Sequence, residues 1–333
     1  MIAKLYKQDG TIYDITGACE SITWSGSWSQ AGRTAEFNYL NAPYDPALRI
    51  PAVAVGDCLG LEDDREGEVF FGQIFGVVRS SAIGTITYTA TDMMRHLLES
   101  QGQYKFTNVT PEAIAAQVCA DVEVPVRTLT PTGVNIESLI FDKVSLYDII
   151  MTAYTKAHRI TGDKYFPMIY KRGFSVYKAE WIVSGFTLSD ASNITSSSIE
   201  ETYDSMVNRV KIYDANGAQI GQVDDADSAA RYGVFQEIYT QEDGVDPQTA
   251  AKTMLKVLPA QKINITAIGD INCLSCYFVQ VTDGATGLSG RYWISSDKHT
   301  WSHGVHTMEL ELTYDSMMDE KESNSEEEKE ATA

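Results

Sequence analysis

Gly56-Asp-Cys-Leu-Gly-Leu-Glu-Asp-Asp64, then Gly67, Phe71-Gly-Gln-Ile74, Gly84, an alternating stretch and Asp92-Met-Met94, is the run that decides the fold, because its landmarks return later in the chain. Residues 269–318 carry Gly269-Asp-Ile-Asn272, a strand-like run ending Val281-Thr-Asp-Gly284, Ser289-Gly-Arg-Tyr-Trp-Ile294, Gly304, a second alternating stretch and Asp315-Ser-Met-Met318. The order is kept, and the spacing drifts by a few residues at glycine-rich points, as loop insertions between fixed strands give. Upstream, Ile22-Thr-Trp-Ser-Gly26 with Arg33-Thr-Ala-Glu-Phe37 matches Ile199-Glu-Glu-Thr-Tyr203 with Arg209-Val-Lys-Ile212 more weakly. The link from there to the Gly-Asp landmark is much longer in the second copy, which predicts an inserted subdomain near 224–261. The repeat predicts two similar antiparallel β-barrels in one mainly β chain, since closing a sheet removes its unpaired edges. The competing reading is that Gly-Asp turns and Asp-Gly hairpins recur in any β protein.

Outward from the repeat, a period of two dominates, the signal of strands with two unlike faces. Thr85–Thr91 alternates around Ile86, Tyr88 and Ala90, and Thr307–Thr313 around Met308, Leu310 and Leu312. Val207–Tyr213 runs through Asp214-Ala-Asn-Gly217, a tight-turn signal, into Gln219–Val223. Strand-like runs also cover 2–6, 11–15, 20–28, 33–40, 57–62, 68–79, 168–171, 174–183 and 277–282. Helical patterns fall at 92–98, 110–120, 145–157 and 246–258. Thr110-Pro-Glu112 and Asp246-Pro247 read as a cap followed by proline at the first helical position. The expected organisation is a first barrel at 1–100, a mixed α/β subdomain at 101–195, a second barrel at 196–223 and 262–318 interrupted by the insert, and a disordered acidic tail at 319–333.

The chain has 333 residues, 44% hydrophobic and 22% charged, enough to bury a core in two or three domains. Its net charge of −20 argues against a specific nucleic-acid binder, which needs a basic stripe. The opening Met1-Ile-Ala-Lys-Leu-Tyr-Lys7 has no apolar leader segment, and no apolar run reaches the roughly 18 residues of a membrane helix. Folding in a cytoplasm, with no membrane insertion, is the expectation. Five scattered cysteines do not form a disulfide framework.

Few residue groups invite chemistry. His299, His303 and His306 lie close enough in sequence to suggest zinc, but Gly304 and the alternating context place them in a hairpin, not on an HExxH helix. Cys273-Leu-Ser-Cys276 is a single pair, short of a tetrahedral site. Glu62-Asp-Asp-Arg-Glu66 and Asp224-Asp-Ala-Asp227 lack calcium-loop spacing and read as charged turns. Trp24, Trp28, Trp293 and Trp301 fit either a sugar-binding platform or packing in a core or subunit interface. No catalytic, cofactor or metal site is assigned beyond the weak histidine candidates. A carboxylate pair for glycoside hydrolysis would meet only in space.

Ile22-Thr-Trp-Ser-Gly-Ser-Trp-Ser-Gln-Ala-Gly-Arg-Thr-Ala-Glu-Phe37 resembles the opening barrel of XkdQ-like tail proteins of contractile prophage elements. Ile263–Asp270 and Gly287–Met308 are similar to the same family, which is related to late control protein D and baseplate hub proteins. The resemblance covers nearly all of the chain except the acidic tail. It implies a homotrimeric, non-enzymatic hub in the baseplate of a virion or phage-tail-like particle. The implied partners are the tail tube, the central spike, the end of the tape-measure protein and other baseplate proteins, with no cofactor. Three copies of a doubled barrel place six similar units in a ring, a geometry that joins a sixfold tube to a threefold spike. A β-rich carbohydrate-binding tail component and a cell-wall hydrolase are the alternatives.

Overall fold

The computed structural model describes residues 1–42, 45, 47, 49–79, 84–180, 182–241 and 246–322. The chain forms two compact units, Met1–Ser197 with Asn264–Ala333, and Ser198–Ile263. In chain order the elements are β1 (Ile2–Tyr6), β2 (Ile12–Asp14), β3 (Cys19–Ser27), β4 (Gln30–Asn41), β5 (Cys58–Asp63), β6 (Gly67–Val78), β7 (Gly84–Thr91) and α1 (Met94–Glu99). A mixed region follows, with β8 (Gln101–Val109), α2 (Pro111–Asp121), β9 (Val126–Leu129), β10 (Ile136–Ser145), α3 (Leu146–Thr161), β11 (Tyr165–Tyr170) and β12 (Gly173–Lys178). Then come β13 (Ile182–Ser189), β14 (Ile194–Thr202), β15 (Arg209–Tyr213), β16 (Gln219–Asp224), α4 (Ala226–Tyr232), β17 (Gln236–Thr240) and α5 (Pro247–Thr253). The last four strands are β18 (Ala260–Ile268), β19 (Phe278–Asp283), β20 (Leu288–Ser302) and β21 (Val305–Thr313).

The repeat is visible in the pairing. One set runs β1-β5-β6-β7-β4-β3, and the other runs β13-β19-β20-β21-β18-β14. Strand for strand these are the same order, with the repeated landmarks opening β5 and β19 and closing β7 and β21. One pairing differs in sense: β1 lies antiparallel to β5, whereas β13 lies parallel to β19.

The mainly β, antiparallel character is as expected, but the two closed barrels are not found. Among the described residues the two sets join into a single 13-stranded sheet. The cause lies in the 15-residue β20, which two neighbours of its own set do not use up. Leu288–Trp293 pairs with β19, and beyond an irregularity between Ile294 and Ser296 the strand turns to β3, matching Ser296 with Ser27 and Ser302 with Ser21.

The sheet curls enough for residues from distant strands to share a core. Leu5, Trp24, Phe37, Leu59, Ile74 and Tyr88 of the first set pack in one cluster with Phe278 and Trp293 of the second. A second core forms around α3, whose Leu146, Ile149, Ile150, Ala153 and Tyr154 are buried as their spacing predicts. Met94 and Met318, the ends of the two repeats, both enter this core.

The caps behave as the sequence predicts. Thr110 and Asp246 accept backbone bonds from Ala113 and Thr249. α5 ends at Thr253, short of the predicted 258, because Lys256 bridges to Val207 and its N–H is committed there, 2.7 Å from the Val207 carbonyl. β15 and β16 form the predicted hairpin over Asn216-Gly217, but β15 also pairs with β17, in a separate three-stranded sheet of the smaller unit. Asp319 accepts a 2.9 Å bond from the Tyr147 hydroxyl, and Lys321 N–H donates to Thr155 on α3. These residues fall in the span predicted as tail; 323–333 lie outside the described residues. No described helix is long and apolar enough to cross a membrane.

Candidate functional site: the junction between the two strand sets

Where β3 meets β20, a polar cluster is sealed into the fold. The antiparallel register places Asp297 opposite Gly26 and His299 opposite Trp24. Arg33 of β4 reaches across, donating from Nη1 to Asp297 Oδ1 at 2.9 Å and from Nη2 to Oδ2. This two-point geometry is the strong form of a guanidinium–carboxylate pair. Arg33 and Asp297 are 5% and 2% exposed, so neither charge is shared with bulk water. The Ser275 backbone donates to Asp297 Oδ1 at 2.6 Å, and the guanidinium lies 4.0 Å above the Trp24 ring. Burial works to raise the Asp297 carboxyl, but the Arg33 charge and its hydrogen bonds outweigh it and hold the pKa below the usual carboxylate range. Gly26 is required here, since a Cβ would run into the guanidinium.

Of the three candidate histidines, the fold brings two together. His299 Nε2 lies 3.1 Å from the Cys273 carbonyl, and its Nδ1 lies 3.1 Å from His306 Nε2. A carbonyl only accepts, so His299 carries its proton on Nε2, and Nδ1 accepts from His306. His306 in turn stacks on Trp301, with centroids 4.3 Å apart, and covers Gly269, where a Cβ would meet the ring. His303 stands in the exposed β20–β21 turn, its Nδ1 2.9 Å from Ser302 Oγ, apart from the other two. Among the described residues no group of three or more His, Cys, Asp or Glu side chains is placed to hold a metal.

Burial lowers both ring pKa values, that of His306 to about 4, with the His299 charge adding to the effect. A histidine depressed in the fold contributes stability above its unfolded pKa of 6.5, and that contribution is lost as pH falls through the folded value. Acidification from pH 7 to 4.5 is therefore expected to weaken the fold through His306. His306→Phe, which keeps the stack on Trp301, is expected to flatten that loss by about 1 kcal/mol after allowance for the half-exposed ring. Urea unfolding as a function of pH measures this, and an unchanged slope in the variant would exclude the assignment. Asp92 acts in the opposite sense. Burial pushes its carboxyl up to about 7 while it accepts bonds from the Arg33 and Met94 N–H groups, so it favours the fold at lower pH.

The remaining candidates resolve into structure. Cys273 and Cys276 sit in a turn, not a strand; both are buried free thiols whose pKa values burial raises. Asp63 closes its turn by accepting from Arg65 N–H at 2.9 Å, and Asp225 caps α4. Trp24 and Trp293 are buried and Trp28 and Trp301 half-buried, so the four tryptophans do not present one exposed platform. The Arg33–Asp297 pair is the feature that sequence reasoning misses. Its partners lie 264 residues apart, and only the stretch Ile22–Phe37, which carries Gly26 and Arg33 together, hints at it.

The comparisons agree with this architecture. The phage-like element PBSX protein XkdQ of Bacillus subtilis (strain 168) is 26% identical over 314 residues, spanning 90% of this chain and 94% of that protein. The uncharacterized protein YqbQ of the same strain is 27% identical over 257 residues, 74% of this chain and 77% of its own length. The 43 kDa tail protein of prophage MuSo2 from Shewanella oneidensis shares the fold at a TM-score of 0.72 and 16% identity, over 94% of this chain and 98% of that one. The resemblance to XkdQ-like tail proteins read from Ile22–Phe37 holds, and the chain shares the fold of a prophage tail protein. The YqbQ-like family model matches residues 22–313, and the chain belongs to that family.

Proposed function

We propose that the chain is the structural hub of a contractile, phage-like baseplate: a homotrimer that forms a pseudo-sixfold ring between a sixfold tail tube and a threefold central spike. The observation that carries this reading is the doubled strand order, with both sets fused edge to edge at β3 and β20. One chain then offers two like surfaces, and three chains offer six, while elements outside the repeat keep true threefold symmetry. The tape-measure end and neighbouring baseplate proteins complete the set of partners, in a particle assembled in the bacterial cytoplasm. The role is one of shape and attachment rather than catalysis. The acidic balance suits a lumen that a nucleic-acid backbone passes without sticking.

Among the described strand pairings of the large sheet, β2, β13 and β14 each have one neighbour only. β2 also presents Ile12 and Tyr13, 55% and 40% exposed. An unpaired edge with apolar side chains is a template for another chain, and the ring is proposed to close there. The test is mass by light scattering of the purified chain, alone and with its cognate spike. A threefold mass in either case is expected; a monomer in both, at high concentration, removes the hub reading. Ile12→Lys with Tyr13→Lys is expected to leave the thermal midpoint of the monomer within a few degrees and to cut the trimer fraction at least tenfold, read by the same scattering measurement.

A further inference from the structure

We infer that the uncovered face of the large sheet, from β7 across the junction to β18, lines the channel of the ring; the assignment of this face rests on the hub reading. The register builds the face row by row. Thr89, Glu36, Thr23, Thr300 and Thr307 lie side by side on β7, β4, β3, β20 and β21. The neighbouring row on β7, β4, β3 and β20 is Thr87, Asn38, Ser21 and Ser302. Asn38 ties that row together, accepting from Thr87 Oγ1 at 2.7 Å and donating to Ser21 Oγ at 2.9 Å. Side chains alternate along each strand, so the buried Trp24, Phe37, Tyr88 and His299 point the other way.

The two sides of the sheet differ in what they carry. On the core side Phe166, Met168 and Tyr177 of β11 and β12 pack into the shared cluster. On the other side Thr23, Thr87, Thr89 and Thr300 stay half-exposed. There the surface sinks into a depression of about 390 Å³, edged by Ser25, Ser27, Asn264, Thr266 and Glu311. Six units close around an axis with their bulk outside, which leaves the bare, hollowed face for the channel. Threonine suits any strand, so hydroxyl groups alone do not select a channel wall. The scarcity of charge does. The chain carries 46 acidic and 26 basic residues, yet the two rows hold one charge, Glu36. In the row beyond, Lys298 is paired with Glu309 at 3.2 Å. Hydroxyl groups trade a bond to water for a bond to a passing chain at little net gain, so such a wall stays wetted without holding what moves past it.

The test is capture of biotin by streptavidin, a folded protein too wide to enter a channel that passes an extended chain. Thr23→Cys, Thr87→Cys and Thr300→Cys place a thiol on three strands of the face, and Lys105→Cys places one at an exposed position on β8. Each full-length variant is labelled with biotin maleimide and assembled with the cognate spike. The parent chain, whose Cys19 and Cys58 are half-buried, gives the background. In the species of threefold mass, capture at the three face positions is expected to be at least tenfold lower than at Lys105→Cys, and to become equal to it once the ring is dissociated. Equal capture in the intact ring overturns the proposal. So does loss of the threefold mass in all three labelled face variants while the parent keeps it, since the face is then a subunit contact. A parent chain that never reaches threefold mass removes the hub reading itself and the channel wall with it, a result read from the mass before any capture.

Discussion

Arg33→Met is expected to destabilise the large unit by about 3–5 kcal/mol, the cost of stranding one partner of a buried ion pair. The reasoning starts from Asp297, 2% exposed and held ionised by the guanidinium in spite of its burial. Without Arg33 the carboxylate keeps the 2.6 Å bond from the Ser275 N–H and the nearby His299, but no charge that offsets its desolvation. Burial, no longer offset by the guanidinium, then raises its pKa. A carboxyl whose folded pKa is raised contributes stability at low pH and loses it as pH rises through the folded value. The variant is therefore expected to regain part of its stability on acidification, whereas the Asp297 contribution in the parent chain is lost on acidification. Urea midpoints at pH 5 and pH 8 report both effects. Asp297→Leu combined with Arg33→Met is expected to be less damaging than Arg33→Met alone, because no unpaired charge stays behind. A loss below about 1 kcal/mol for the single variant would show that the pair is solvated and that the junction is not the rigid point described here.

What was legible in the sequence divides along the distance of the interactions. Strands with two unlike faces, such as Thr85–Thr91 and Thr307–Thr313, show in the pattern because burial on one side imposes a period of two. Helix starts at Thr110 and Asp246 show because a cap is a contact over three residues. The duplication shows because both copies need glycine and aspartate at the same corners. Edge strands and short pieces are less legible. β17 is exposed along most of its length, and α4 occupies a span whose carboxylates read as a turn; its start is marked only by the Asp225 cap. The weak match of Arg209–Ile212 to β4 misleads, since the strand that occupies the β4 place in the second set is β18. The cluster at the junction is the least legible. Nothing local to Arg33, Asp297, His299 or His306 distinguishes a buried network from four surface side chains, and only the β3–β20 pairing decides it.

Trp293→Ala is the second large effect, and it tests whether the two strand sets act as one body. Trp293 lies on β20, between Phe278 and Thr313 in the ladder, yet its ring is wholly buried in the core built mainly by the first set. Removing a large aromatic side chain from such a place costs about 3–5 kcal/mol, the lost transfer energy plus that of the cavity left behind. Trp293 Nε1 has no hydrogen-bond partner in the protein, so Trp293→Phe forfeits packing alone and is expected to cost a smaller part of this. Because the core is shared, the loss falls on both sets. The described tryptophans all belong to the large unit, and their fluorescence is expected to follow one cooperative melting transition, lowered in Trp293→Ala by roughly 5–15 °C. Two transitions in the parent chain, or a shift confined to one of them, would mean that the sets are independent domains tied only at β3. A single transition means that force applied to one set is carried into the other through Trp293 and the Arg33–Asp297 pair without a hinge between them. A proposed adaptor between symmetries needs that property, since six units that moved independently would not hold a ring in register.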